Sequence, residues 1–312
     1  MVPSVAARGP FLGERLGRDA DPMTEIVVGL DGSEGAAEAL VWAAREAVLK
    51  DLPLTAVMVW GYLDQHHAGG VTPFDPGYGE ADALAALDVS VTSTLDAHSA
   101  ARVRRRVVCD LAAHALLDSA GDAELLVVGA RGLGGFRGLL LGSVSQQCLA
   151  HARCPVAVIR AGGAAPEGAT MERIVVGVDG SDTSQRAVAW ALEEGRLRQA
   201  AVQVVHAWHT PHVGGHPFIG AIFDPEPFED GGRAMLESVL SDVDTSGLPV
   251  PVERVLVCGT GATAILESAK GADLVVVGSR GRGGFSGLLL GSVSHQVTHH
   301  AACPVVVVPT GD

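Results

Sequence analysis

A glycine-rich stretch that occurs twice constrains this chain more than any other feature. Residues 129–159 and 278–308 are identical at 21 of 31 positions. Each copy follows a short apolar run, which is typical of a buried parallel strand. A repeat of this size within 312 residues indicates that the chain is built from two copies of one domain.

The glycines of this stretch are spaced as a phosphate-binding loop would require. Glycine has no Cβ, so backbone N–H groups can approach a bound anion closely. Ser292 is predicted to cap a helix that starts after it, and the N–H groups and positive dipole end of that helix would face the same anion. We therefore predict a phosphate-binding loop in each half, built in the second on Gly278, Gly281, Gly283, Gly284, Gly287 and Gly291.

The predicted strands and helices alternate along both copies. Such alternation favours an α/β fold with two tandem doubly wound, Rossmann-like domains, in which helices cover both faces of a parallel sheet. Loops at the carboxyl ends of the strands then form the site. The predicted divisions are an N-terminal extension without structure (1–23), a first domain (24–160), a linker (161–171) and a second domain (172–310).

Four local patterns give specific structural expectations. A helix is predicted from about Glu80 to Ala100. A strand is predicted from Arg102 to Cys109, and its alternating arginines indicate a solvated face near a sheet edge. A helix is predicted to begin at Val144, and residues 209–230 are predicted to form a loop.

Composition narrows the classes of partner. The net charge of −14 argues against nucleic acid as a main partner, because phosphate backbones attract lysine and arginine. No apolar run reaches the ~18 residues of a membrane helix, and no secretory signal is evident. Five cysteines without a close pair favour a reducing compartment, so we expect a cytoplasmic protein.

The duplicated motifs resemble those of the universal stress protein family, and the whole chain is similar to its tandem members. The carrying pattern is Gly-x-x-Gly, nine residues, then Gly-Ser, which begins at Gly129 and again at Gly278. Asp-Gly-Ser after the first predicted strand (from Asp31 and from Asp179) and Cys-Pro-Val at the last strand accompany it. The resemblance implies five parallel strands in the order 3-2-1-4-5 in each half and, in the ATP-binding branch, a bound adenine nucleotide with Mg²⁺.

The resemblance also implies which residues bind the nucleotide. Asp31 and Asp179 would lie near the ribose and phosphates and are candidate Mg²⁺ ligands, while the backbone of Val59 and Ala207 would meet the adenine. The full set carried over onto this sequence is Gly29, Leu30, Asp31, Val59, Val128, Gly129, Arg131, Gly132, Gly142, Ser143, Val144, Ser145, Gly177, Val178, Asp179, Ala207, Val277, Gly278, Arg280, Gly281, Gly291, Ser292, Val293 and Ser294.

The first copy departs from the pattern after its third strand. The second copy has Gly259-Thr260-Gly261 there, whereas the first has Asp110-Leu111-Ala112. A carboxylate at Asp110 would repel phosphates. We therefore expect the second half to bind nucleotide more tightly than the first.

Simpler interpretations stay open for several residues. The glycine loops could be tight turns, although a Walker loop is excluded because no Gly-Lys-Ser/Thr occurs. Asp31 and Asp179 could be turn residues alone. Arg131 and Arg280 could reach a phosphate or pair with a carboxylate. The five cysteines look structural, and solvated loop residues are favoured over a metal site for His206, His209, His212 and His216.

These observations favour a binding protein over an efficient enzyme. The expected function is an ATP-binding stress-response regulator that senses or stores adenine nucleotide with little or no hydrolysis, because no base that would activate water can be placed. The alternatives are a slow Mg²⁺-dependent ATPase and a nucleotide-free interaction scaffold. AMP and cyclic AMP remain alternative ligands.

Assembly follows from the two predicted fifth strands. Residues 156–159 and 305–308 are short, apolar and expected at sheet edges, which seek partners. The resemblance implies that these edges pair antiparallel across the two halves, and a homodimer of whole chains is a further expectation. The loops at 61–80 and 209–230 are the expected surfaces for unidentified protein partners.

Overall fold

The computed structural model describes residues 24–61, 65, 75–133, 140–160, 162, 171–209, 224–241, 243–248, 251–282 and 289–311. The predicted N-terminal extension, nearly all of the linker and much of the two proposed partner loops lie outside this part of the chain.

The first half contains five strands and five helices within the described residues. In chain order they are β1 (Ile26–Leu30), α1 (Glu34–Lys50), β2 (Leu54–Trp60), α2 (Glu80–Thr94), α3 (Ala97–Arg102), β3 (Val103–Cys109), α4 (Ala112–Ala120), β4 (Leu125–Gly129), α5 (Ser143–His151) and β5 (Val156–Ile159).

The second half repeats this order within the described residues, without a counterpart of α3. Its elements are β6 (Arg173–Val178), α6 (Asp182–Arg198), β7 (Ala201–Trp208), α7 (Glu226–Ser241), β8 (Glu253–Cys258), α8 (Gly261–Ser268), β9 (Leu274–Gly278), α9 (Ser292–His300) and β10 (Val305–Val308).

The ten strands form one continuous sheet in the order β3-β2-β1-β4-β5-β10-β9-β6-β7-β8. Each half is parallel and has the order 3-2-1-4-5, which confirms the predicted fold class. The halves join where β10 pairs antiparallel with β5, with Val306 opposite Ala157, and this confirms the expected pairing of the fifth strands. As predicted, β3 lies at an end of the sheet.

Helices on both faces bury the central strands completely. Along β1, Ile26 and Val28 belong to one apolar cluster, while Val27 belongs to the other. Both clusters extend from one half into the other, so the antiparallel joint lies inside a shared core. Burial on two faces explains why these strands are continuous apolar runs rather than alternating ones.

Several predicted boundaries were wrong. The single helix expected at residues 80–100 is two helices, because Asp96 accepts hydrogen bonds from the backbone N–H groups of His98 and Ser99 and so starts a new helix. Arg102 ends α3 instead of starting the strand. Helix α7 begins at Glu226, inside the loop expected to reach residue 230, and α5 begins one residue early.

A buried group of four charges, which no sequence pattern predicted, joins α1 to α6. Lys50 pairs with Glu194, and Arg198 pairs with both Glu46 and Glu194. Both glutamates are 1% exposed. The Lys50 ammonium also lies 5.6 Å from the ring centroid of Trp190. We call these four charged residues the interhelix quartet.

The quartet has internal symmetry. Glu46 and Glu194 each stand fifteen residues after the aspartate of Asp-Gly-Ser, and Lys50 and Arg198 each stand four residues further on. Each helix therefore offers a glutamate and a cation that pair crosswise with the other helix. Burial raises the pKa of Glu46, although Arg198 beside it acts in the opposite direction.

Among the helices of the described residues, none is both long and apolar enough to cross a bilayer.

Candidate functional site

A cavity of about 530 Å³ opens at the carboxyl ends of the strands in the second half. Strands β6 and β9 are neighbours at its centre, where the strand order of the half reverses. Open α/β sheets commonly bind ligands in this position, because the loops after the two strands diverge and leave a crevice.

All twelve predicted second-half residues line this cavity. They are Gly177, Val178, Asp179, Ala207, Val277, Gly278, Arg280, Gly281, Gly291, Ser292, Val293 and Ser294. The structure thus brings together four sequence segments that the family resemblance had assigned to one site.

Eight further lining residues were not among the predicted site residues. They are Ser184, Val205, His206, His209, Gly259, Thr260, Gly261 and Ile265. Two signals could have found some of them. Val205 lies two residues before Ala207 on the same strand, and residues 259–261 had been singled out as the turn that differs between the two copies.

The carboxylate of Asp179 ties the first turn of this half to its glycine loop. Its Oδ1 accepts hydrogen bonds from the N–H and hydroxyl groups of Ser181 at 3.1 and 2.6 Å, and its Oδ2 accepts from the N–H of Arg282 at 2.7 Å. Burial raises its pKa, but these hydrogen bonds outweigh burial and leave the pKa of Asp179 below its ordinary value. Asp179 is therefore an anchored anion at the cavity wall.

Two glycines of the motif are required by packing. A Cβ on Gly281 would lie 2.1 Å from Oδ2 of Asp179, and a Cβ on Gly278 would lie 2.8 Å from Cγ2 of Thr183. Both distances are too short for any real contact. The Gly-x-x-Gly spacing therefore lets the loop close over the aspartate and the first turn of α6.

The N-terminus of α9 lies at the cavity without a side-chain cap. The N-cap residue is Gly291, not Ser292 as predicted, and it makes no side-chain cap hydrogen bond. The hydroxyl of Ser294 donates to the carbonyl of Gly278 at 2.5 Å and so fixes the helix to β9. Because glycine cannot cap with a side chain, the first N–H groups of α9 stay available to an anion.

The arginine in the second loop has a polar neutral partner. Nη2 of Arg280 donates to Oγ1 of Thr310 at 2.9 Å, while the residue also lines the cavity. This contact is neither of the two alternatives raised for it, a phosphate or a carboxylate. It holds an exposed guanidinium at the edge of the site.

The first half reproduces this framework closely. Asp31 accepts from the N–H groups of Ser33 and Leu133 at 3.0 and 2.9 Å, and a Cβ on Gly132 would lie 2.1 Å from its Oδ2. The hydroxyl of Ser145 donates to the carbonyl of Gly129 at 2.7 Å. The N-cap of helix α5 is likewise a glycine, Gly142.

The remaining predicted first-half residues lie on the same elements as their counterparts. Gly29 and Leu30 end β1, and Val59 and Val128 each lie one residue before the end of their strands, β2 and β4. Arg131 is exposed in the loop after β4, and Val144 lies in the first turn of α5.

The turn after the third strand differs in the way the sequence suggested. The Asp110 carboxylate accepts hydrogen bonds from Nδ1 of His114 and from the N–H of Leu111, both at 2.6 Å. The bond from His114 lowers the pKa of Asp110, and Asp110 in turn raises the pKa of His114. Asp110 therefore stays ionised, where the second half has Gly259.

Neither histidine nor cysteine groups form a metal centre within the described residues, where no three histidine, cysteine, aspartate or glutamate side chains converge. His212 and His216 lie outside that part of the chain. The five cysteines are unpaired thiols. Burial raises the pKa of Cys148 to about 12 and the pKa values of Cys154 and Cys303 to about 11, so all three are protonated packing residues.

Comparison with known proteins identifies the family. The model of the universal stress protein family matches residues 23–160 and again residues 170–309. The chain belongs to the universal stress protein family. Universal stress protein Rv2623 of Mycobacterium tuberculosis is 36% identical over 287 residues, covering 90% of this chain and 95% of the relative. Universal stress protein Rv2005c of the same organism is 34% identical over 292 residues, covering 90% and 96%.

Solved structures show the same fold. A universal stress protein from Archaeoglobus fulgidus aligns with a TM-score of 0.63 at 19% identity, over 93% of this chain and all of that chain. A functionally unknown protein, PA1789 from Pseudomonas aeruginosa, aligns with a TM-score of 0.60 at 16% identity, over 92% of this chain and 93% of that chain. Chains of less than 20% identity therefore share this fold over more than nine tenths of their length.

Proposed function

We propose that this universal stress protein is an ATP-binding regulator of a stress response, which holds an adenine nucleotide in its second half with little or no hydrolysis. The cavity at the ends of β6 and β9 carries the proposal, because its volume of about 530 Å³ lies within the ~300–1,000 Å³ of small-molecule sites. Its lining combines apolar strand ends, which suit a base, with an uncapped helix N-terminus, which suits phosphates.

The charges around the cavity favour binding without efficient hydrolysis. The carboxylate of Asp179 accepts three hydrogen bonds from the chain and has a lowered pKa, so it is a poor general base for activating water. Among the described residues, the other titratable groups on the wall are His206, His209 and Arg280. An imidazole can act as a general base, so the turnover measured below tests whether the protein stores nucleotide or consumes it.

The same geometry limits how Mg²⁺ would be held. Asp179 is the carboxylate on the cavity wall, and both of its oxygens already accept hydrogen bonds. Each oxygen retains lone-pair capacity, so Asp179 fits as one ligand and not as part of a protein cage. The phosphates and water would supply most of the Mg²⁺ ligands, as is usual for this ion.

We propose that the protein lies in the reducing cytoplasm, because its five cysteines are unpaired and three of them are buried. Association of whole chains into a homodimer is also part of the proposal. Native mass spectrometry at several protein concentrations tests it, and a monomer at all of them contradicts it.

The decisive experiment measures how much nucleotide each chain binds. Matched variants in the two halves serve as controls for each other. Protein purified without added nucleotide is denatured, the released nucleotide is identified, and ATP binding is titrated with Mg²⁺. Ser292→Asp and Ser143→Asp place the same charge at the first residue of α9 and α5, where both serines are exposed. Aspartate suits a helix N-terminus, so both variants should fold.

We expect about one ATP per chain, abolished by Ser292→Asp and retained by Ser143→Asp. Equal losses in the two variants would contradict the assignment to the second half. Wild-type protein that neither carries nor binds nucleotide contradicts the ATP-binding function and favours the scaffold. Turnover above about 1 s⁻¹, a low value for enzymes, contradicts the regulatory function.

A further inference from the structure

His206 is a residue of the cavity wall to which the proposed function assigns no role. It lies near the end of β7 and lines the cavity between Val205 and Ala207. Its Nδ1 lies 2.9 Å from the carbonyl oxygen of Val178. A carbonyl oxygen only accepts hydrogen bonds, so Nδ1 carries a proton in this contact. In the neutral ring the other nitrogen, Nε2, is then an acceptor.

The ring is held in place on a second side by α7. A Cβ on Gly232 would lie 3.4 Å from Cδ2 of His206 and 2.7 Å from Cδ1 of Leu256. Gly232 therefore lets α7 pack directly against the imidazole. A ring fixed by a hydrogen bond and by packing loses little further freedom when a ligand binds, which favours selective recognition.

The position of His206 relates it to the parts of a nucleotide. It lies opposite Val178 in the register of β6 and β7, and Asp179 follows Val178 directly. Its other neighbour, Ala207, is the residue expected to meet the base through its backbone. His206 thus lies between the residue expected to meet the base and the turn expected to meet the ribose and phosphates.

At the equivalent position the first half has a different residue. Met58 occupies the equivalent place, opposite Leu30 in the register of β1 and β2, and its side chain is fully buried in the apolar core. A thioether is only a weak acceptor. The duplicated domains therefore offer a natural pair of residues, histidine and methionine, at one point of the same framework.

We propose that His206 is a specificity-determining residue of the second site, with Nε2 accepting a hydrogen bond from the adenosine part of the ligand. Adenosine has two kinds of donor that suit this acceptor, the 6-amino group and the ribose hydroxyls. The ligand class is therefore a purine nucleotide that presents such a donor. This inference rests on the proposed function and adds the group that selects the ligand.

The test compares wild-type protein with His206→Met, which installs the residue of the first half. Binding of ATP, 2′-deoxy-ATP, 3′-deoxy-ATP and purine riboside triphosphate, which lacks the 6-amino group, is measured by calorimetry with Mg²⁺. Loss of one hydrogen bond should weaken ATP binding about three- to tenfold. The penalty should disappear for the analogue that lacks the donor read by Nε2, which identifies the 6-amino group or one ribose hydroxyl.

Two controls keep the outcomes separate. Thermal melting verifies that His206→Met is folded, and His206→Leu replaces it if it is not. His206→Gln, whose amide oxygen also accepts, should recover part of the affinity. Equal ATP affinities of wild type and the methionine variant overturn the proposal, as does an equal penalty for all four nucleotides. If wild-type protein binds none of the four nucleotides, the result contradicts the proposed function instead.

Discussion

The two halves share the same loop framework but line it differently. In both, an aspartate after the first strand accepts from the glycine loop, and a serine hydroxyl ties the following helix to the fourth strand. In the second half Met235 and Arg282 cover the Asp-Gly-Ser turn, since a Cβ on Gly180 would lie 2.2 and 3.1 Å from them. At Gly32 no described atom lies within 4 Å of that point.

This difference separates what the glycine motif does from what the ligand requires. Gly132 and Gly281 are both needed so that the loop can pass the aspartate, whether or not a ligand binds. Ligand chemistry depends on the side chains and turns around the loop, such as Gly259 against Asp110. A complete motif therefore indicates the framework and leaves the binding properties of each half to be tested.

The largest expected effect on stability comes from a substitution that tests whether the two halves depend on each other. Val306→Asp places a charge at a fully buried position of the antiparallel joint, and an unpaired buried charge should cost about 3–5 kcal/mol of unfolding free energy. Val306→Ala is the control, because the backbone pairing is kept. Denaturant unfolding and gel filtration measure the result. Unchanged melting and size would show that the joint contributes nothing.

The quartet should respond unequally to neutralisation in the two halves. Glu194→Gln removes the partner shared by Lys50 and Arg198, and we expect a loss of about 3 kcal/mol because two buried cations lose an anion. Glu46→Gln should cost less, because burial already disfavours its charge. Chemical denaturation of both variants at pH 7 measures the difference, and equal losses would contradict it.

The raised pKa of Glu46 adds a pH dependence to this pair. The protonated carboxyl is favoured in the folded chain, so the stability that Glu46 contributes is fully present below its ordinary pKa of 4.5. That contribution is lost as the pH rises through the raised value. The stability of wild type minus that of Glu46→Gln should therefore fall with rising pH, and a constant difference would show that the pKa is not raised.

Matched alanine substitutions should affect the two frameworks equally. Gly132→Ala and Gly281→Ala each force a Cβ towards an aspartate oxygen 2.1 Å away, and overpacking of this kind costs about 1–3 kcal/mol. Thermal melts of both variants measure this, and ATP titration should detect a defect only for Gly281→Ala. A nucleotide defect in the Gly132→Ala variant would indicate that the first half binds as well.

The turn that follows β8 can also be transferred to the first half, which tests the difference between the halves in the opposite direction. Replacing Asp110-Leu111-Ala112 with Gly-Thr-Gly removes a carboxylate near the expected phosphates, which should raise affinity there roughly tenfold through lost repulsion. Titration of ATP in a Ser292→Asp background isolates the first half. No gain in binding would mean that other side chains, such as Met58, close that site.

The smallest effect concerns the pair formed by Asp110 and His114. Asp110→Asn removes the carboxylate that raises the pKa of His114, so that pKa should return towards its ordinary value of 6.5. NMR titration of the histidine Cε1–H signal measures it. Both side chains are solvent-accessible, so stability should hardly change, and an unshifted pKa would show that the pair does not form in solution.

The order of the strands and helices was predictable from the sequence. Alternating elements and the doubled motif predicted the ten strands. The break at Asp96 was missed, because two local capping hydrogen bonds outweighed a continuous helical pattern. Glycine at the N-cap of α9 was missed because serine is the commoner cap.

Features that depend on distant residues could not be predicted. Within each half, Glu46 with Lys50 and Glu194 with Arg198 look like ordinary surface pairs one helical turn apart. Their burial depends on the contact between α1 and α6, which no single-copy pattern reveals. His206 was set aside with the loop histidines, since its bond to Val178 depends on the register of two strands.

The crosswise symmetry of the quartet has a consequence for how such chains evolve. A single half would present one glutamate and one cation on the same helix face, and two identical halves could pair through them in the same crosswise manner. A chain that carries both copies resembles such a pair fused into one gene. In an assembly of identical subunits every mutation appears on both sides of the interface. Fusion lifts that constraint, so one half can keep its pocket while the other specialises as its permanent partner.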